Sequence, residues 1–155
     1  MADHIYEIAV AKTTTAAAIH IATILGAAPA ASTRAPEIRE IGITLTSAVA
    51  AEVGLGFPAA AGTGGNTTVS TAQAVNAADP AGHTLLVSAF TTLQPTAPTN
   101  FFRRSQLPGV IGAGIIWVWQ PGEFILQNFN LSGNLCLWQF TASVISYDVY
   151  VKVAE

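Results

Sequence analysis

Apolar and polar residues alternate with a period of two along most of this chain, as they do in strands with one face toward a core. ISYDVYVKVAE shows it most clearly: Ile145, Tyr147, Val149, Val151 and Val153 share one face, while Ser146, Asp148, Tyr150 and Lys152 share the other. The same reading predicts strands at Ile5–Ala11, Ala18–Leu25, Ile38–Thr46, Thr68–Val75, Thr84–Thr91, Gly114–Trp119, Glu123–Leu126, Asn134–Phe140 and Ile145–Val153. No helical period of useful length interrupts them. The expected fold class is all-β, an antiparallel β-sandwich of about 8–10 strands.

The breaks between strands have recognisable turn chemistry. Asn76 to Gly82 contains Asp79-Pro80 and a closing glycine, Gln120-Pro121-Gly122 reads as a tight corner, and Ser132-Gly133-Asn134 as a hairpin connection. The Ala/Gly-rich stretch Ala59–Asn66 has nothing to bury and reads as an exposed, flexible loop. In GIIWVWQ, Trp117 and Trp119 share one face and Ile116 and Val118 the other. A strand apolar on both faces belongs inside a sandwich or at a subunit interface.

At 155 residues the chain is expected to be one domain over 1–155, with an N-terminal strand or arm over about 1–35 available for assembly. Ala16 to Ser32 imitates an export signal, but HIYEIAVA precedes it, so a buried strand followed by a small-residue loop is the better reading. Its longest apolar run is interrupted by His20, which argues against a membrane span. Only 10% of residues are charged and 51% are hydrophobic, against about 25% charged in ordinary domains. Either the core is unusually large or part of the surface is apolar and meets other chains. A net charge of −3 and the lack of a basic cluster argue against nucleic-acid binding.

Candidate chemistry is sparse. His4, His20 and His83 are scattered without metal-ligand spacing, and the carboxylates are dispersed singly, so no metal, cofactor or catalytic residue is expected. Gly54-Leu55-Gly56-Phe57-Pro58-Ala59 fits a dinucleotide-binding fingerprint in letters only; without a strand-to-helix context it reads as a bend at a sandwich corner. Cys136, in an apolar run, reads as a buried and inert thiol.

One stretch stands apart. Phe101, Phe102, Arg103 and Arg104 place two of the chain's six cations beside two aromatics. One reading is a loop whose phenylalanines tuck into the sandwich and whose arginines are solvated. The other is a protein–protein contact, where aromatic and Arg side chains are enriched.

From Glu40 to the C-terminus, the succession REIGITL, VGLGFPAAAGT, DPAGHTLLVSAFTTLQPTAPTNFFRRSQLPGVIGAGIIWVWQPGEFIL, LCLWQF and YDVYVKVAE resembles small virion structural proteins encoded in tailed-bacteriophage and prophage genomes. The resemblance implies a jelly-roll-like sandwich working as a capsid decoration or cement protein on the virion's capsid exterior. It also implies a homotrimer, the major capsid protein as partner, no cofactor, and Phe101–Arg104 as the candidate contact. The alternative is a trimeric jelly-roll receptor- or glycan-binding module, either a tail or fibre component or similar to tumour-necrosis-factor-like and C1q-like trimers. For that module Trp117, Trp119 and Trp138 would be the sugar-stacking residues if they were exposed.

Overall fold

The computed structural model describes residues 4–15, 20–26, 35–63, 66–126 and 135–155. Among them there is no helix, and eleven strands form two antiparallel sheets. In chain order they are β1 (Ile5–Thr13), β2 (His20–Gly26), β3 (Glu37–Leu45), β4 (Ala51–Gly56), β5 (Asn66–Thr71), β6 (Gln73–Ala74), β7 (Thr84–Phe90), β8 (Arg103–Leu107), β9 (Gly114–Val118), β10 (Leu135–Gln139) and β11 (Ser146–Ala154). The five-stranded sheet runs β6-β1-β11-β3-β9 and the six-stranded sheet β5-β7-β2-β10-β4-β8.

Eight of these strands, β1 to β4 and β8 to β11, make a jelly roll, because every connection among them except the one from β4 to β8 carries the chain from one sheet to the other. The remaining strands come from an insertion between β4 and β8. Within it, β7 lies beside β2 and β6 beside β1, so the insertion extends both sheets along the β1/β2 side. Strands β8 and β9 end the two sheets on the opposite side, each with one hydrogen-bonding flank that no other strand among the described residues occupies. The sandwich is covered along one side and bare along the other.

The alternation read from the sequence fills the interior. Tyr147, Val149, Val151 and Val153 of β11 point inward with Ile41, Ile43 and Leu45 of β3, and meet Val53, Leu55, Leu135 and Leu137 from the facing sheet. Each such side chain contributes about 1.5–3 kcal/mol on leaving water. Strand β2 is buried on both faces, because the insertion lays Val87 and Phe90 against its outer side. The stretch that imitated an export signal therefore contributes a central strand; residues 16–19 and 27–34 lie outside the described residues.

One polar cluster crosses this interior. Gln139 is fully buried; its Oε1 accepts from the Thr14 hydroxyl at 2.7 Å and the Tyr147 hydroxyl at 2.9 Å, while its Nε2 donates to the carbonyls of Ser143, at 2.8 Å, and Thr141. All hydrogen-bonding capacity of this amide is used. Burial raises the Tyr147 hydroxyl above its usual range.

Four expectations need correction. Glu123–Leu126 is not a strand: only Ile125 bridges, to Glu37, because the Pro121-Gly122 turn sends the Glu123 N–H back to the Gln120 carbonyl at 3.1 Å. Gly122 there has φ +85°, a conformation glycine adopts without steric cost. Thr68–Val75 is broken at Ala72, and its halves join different sheets. The Ala/Gly-rich stretch is not a free loop, since Ala60 bridges Thr96 and Thr63 bridges Leu93; residues 64 and 65 are outside the described set.

The fourth correction concerns Gly54-Leu55-Gly56, which is the second half of β4 and not a bend. Leu55 points into the core, and the glycines leave the outer face flat. A Cβ on Gly54 would lie 2.8 Å from Phe140 and 2.9 Å from Phe101, and one on Gly56 would lie 2.6 Å from the Asn100 carbonyl oxygen. Glycine is required here so that the segment before β8 can pack directly on the sheet.

Candidate protein-contact surface

Phe101–Arg104 is not a loop between strands. It spans the entry into β8, and Leu55 of β4 sits opposite Arg103 in register. Within β8 side-chain direction alternates, so Arg103 and Arg104 turn to opposite sides, and Phe101 and Phe102, which precede the strand, divide between the same two environments. Phe101 is half-buried edge-on to Phe140, with ring centroids 4.7 Å apart. Arg104 turns to the same side, where its guanidinium lies 4.2 Å over the Phe140 ring and pairs with Glu52. These two residues hold the outer layer of the six-stranded sheet.

Phe102 and Arg103 face the other way, at the bare edge. Phe102 is 40% exposed and packs edge-on against Phe57, at 5.0 Å, and Phe124, at 5.6 Å; Phe57 is itself 44% exposed. Phe124 continues the cluster to Trp119 at 5.5 Å. Arg103 reaches from the six-stranded sheet to the end of β9, placing its guanidinium 5.8 Å over the Trp119 ring while donating to the Phe102 carbonyl at 3.2 Å. Its charge meets no carboxylate among the described residues.

The apolar surface continues along β9. Trp117 is in the core, while Ile116 and Val118 point outward and are each 58% exposed. The turn joining β8 to β9 adds exposed Val110 and Ile111. Of the two places expected for a doubly apolar strand, the inside of the sandwich is not where β9 lies: it is an edge strand, and Ile116 and Val118 on its outer face are exposed. An uncharged edge strand without proline invites pairing or covering by another chain.

Sequence reasoning missed Phe57 and Phe124 as members of this surface. Phe57 stands between Gly56 and Pro58 and Phe124 two residues after Gly122, and only the pairing of β4 with β8 and of Glu37 with Ile125 brings them to Phe102. No local signal marks that convergence.

Among the described residues no three His, Cys, Asp or Glu side chains gather where a metal ion fits. His4 pairs with Asp79 at 2.9 Å, His83 is exposed, and His20 is buried with Nε2 2.8 Å from the Thr23 hydroxyl. Burial, reinforced by nearby Lys12, lowers His20 to about 4. Burial pushes the Cys136 thiol up to about 12, in contact with the Thr23 hydroxyl at 3.2 Å. Glu37 is buried against Arg39 at 3.1 Å and accepts the Gly122 N–H, which fixes the corner beneath Phe124. The Glu155 carboxylate accepts the N–H groups of His83 and Thr84 at 2.8 and 2.7 Å. A groove of about 540 Å³ between β4 and β8 is lined by Ala50, Glu52, Gln106, Pro108 and Thr141; its one ionisable group, Glu52, is taken by Arg104. Trp117, Trp119 and Trp138 are all buried.

The fold and this edge together define the class: an all-β jelly-roll sandwich with an apolar, arginine-bearing flank. Comparison with protein-family models, with curated proteins and with solved structures finds no match to this chain.

Proposed function

We propose that the chain is a non-enzymatic structural virion protein, a capsid decoration or cement protein that sits on the capsid exterior as a homotrimer and bridges neighbouring major capsid subunits. The observation that carries this reading is the bare β8–β9 edge: Phe57, Phe102, Ile116 and Val118 are exposed together beside an arginine without a carboxylate partner among the described residues. A chain with 10% charged residues and such an edge is suited to burial against protein. The likeness of the segment from Glu40 onward to small phage virion proteins supplies the kind of partner. A bridging protein needs complementary surface and rigidity and no reacting groups, and the ionisable side chains that are buried here serve internal bonds.

The test is composition of particles purified by gradient centrifugation. The chain is expected at high copy number in a fixed ratio to the major capsid protein, and antibody against it should label the whole head. Its absence from particles would overturn the proposal, and label confined to the tail tip would move the chain to the tail. The glycan-binding alternative loses its stacking residues, since the three tryptophans are buried. Binding to a glycan array through Phe57 and Phe102 by a chain missing from particles would restore it.

A further inference from the structure

The outer face of the five-stranded sheet carries a second feature that matches the bare edge. Here β11 lies between β1 and β3, and Asp148 sits in register with Ala11 on one side and Thr44 on the other. Ala9, Ala11 and Thr44 are short, Tyr150 is long, and together they frame a depression of about 340 Å³ that has Asp148 in its wall. The Tyr150 ring lies down over Gly42, where a Cβ would come within 1.9 Å of it, and its hydroxyl donates to Glu40. That bond to Glu40, with burial, raises the phenol to about 12, so Tyr150 is a fixed neutral wall. Lys152, the cation of this strand's outer face, is directed to Glu40 at 3.9 Å. Asp148 is exposed and meets no cation among the described residues.

One chain therefore presents an aromatic projection with an unmatched guanidinium and, on a different surface, a dent lined by methyl groups with an unmatched carboxylate. Within one copy they cannot meet. Arg103 sits at the mouth of the sandwich beyond β9, and β3 and β9 separate it from β11. We infer that a second copy of this chain occupies the dent, its Phe102 seated between Ala9, Ala11 and Tyr150 and its Arg103 paired with Asp148. Repeated head to tail, this contact leaves one surface of each kind free until a ring of more than two copies closes. An arginine–carboxylate pair placed beside a buried aromatic sets the register of the contact. This inference shares with the proposed function the premise that the edge is a contact surface, and it needs no capsid.

The experiment uses the full chain alone, with mass measured by light scattering after size exclusion over a wide concentration range. Wild type is expected to form one species of fixed mass containing more than two copies. Arg103→Glu and Asp148→Arg should each weaken that species by at least about tenfold. Combining them, which exchanges the charges, should restore it. Ala11→Trp, which fills the dent without changing charge, should also dissociate it. Circular dichroism and urea midpoints close to wild type would show that the variants fold. A wild-type monomer at every concentration, a dimer only, single variants that keep the full mass, or an exchanged pair that fails to reassemble would each overturn the inference. A monomer that still binds capsids would overturn this ring and the homotrimer while leaving the capsid-binding role of the edge standing.

Discussion

His20 offers a quantitative test of how the insertion covers the six-stranded sheet. The imidazole lies between Phe90 and Trp138, with ring centroids 5.8 Å from each, and is hydrogen-bonded to Thr23. The Lys12 charge acts on it, and Cys136 shares its hydroxyl partner. Burial first, then the Lys12 charge, lower its pKa from 6.5 to about 4. In the unfolded chain the ring protonates near 6.5, so between that pH and about 4 the unfolded state binds a proton that the folded state does not. Stability is unaffected by this group above pH 6.5 and is lost as pH falls through the window. Each factor of ten in proton affinity is worth about 1.4 kcal/mol, which makes the full loss about 3 kcal/mol. Urea unfolding of wild type and His20→Gln at intervals between pH 7.5 and 4 isolates the contribution, because the carboxylates are common to both. The wild-type curve should fall away from the variant's by about 3 kcal/mol by pH 4. Parallel curves would show that the ring is solvated in the folded protein and that the insertion does not seal this face.

Three further outcomes test the interior. Gln139→Leu should cost about 3 kcal/mol or more in urea unfolding, because the buried Tyr147 hydroxyl and the carbonyls of Thr141 and Ser143 all lose a partner; a loss below about 1 kcal/mol would refute the four-bond network. Gly54→Val should lower stability by about 2–3 kcal/mol and displace the rings of Phe101 and Phe140, read from their aromatic NMR shifts; unchanged shifts would remove the argument for glycine there. Cys136 should fail to react with a thiol reagent at pH 8 until denaturant is added, since its thiol is buried and pushed up to about 12; rapid reaction of the native protein would contradict its placement.

What could be read from the residues follows from where each strand lies. Strand β11 packs one face on the core and leaves the other wet, so its period of two is plain in the letters. Strands β2, β7 and β10, buried nearly throughout, are visible as short apolar runs. Strand β4 was hidden because Gly54 and Gly56 are poor strand formers in isolation; their place depends on Phe101 and Pro98, which arrive from a segment more than forty residues later. Strand β8 was hidden for the opposite reason: as an edge strand it needs to bury only Leu107, and RRSQL has the composition of a loop. The candidate contact was legible as residue types at Phe101–Arg104. Its division, with Phe101 and Arg104 on the outer layer of the six-stranded sheet and Phe102 and Arg103 at the bare edge, was not, because it follows from the pairing of β8 with β4.

The central claim is that the bare flank formed by β8 and β9 is where this protein meets the capsid. A three-dimensional reconstruction of the particle at a resolution that traces strands tests it directly. The account expects Ile116 and Val118 of that flank to be buried against the major capsid subunits. Density showing that flank open to solvent, with attachment made elsewhere on the sandwich, would contradict it.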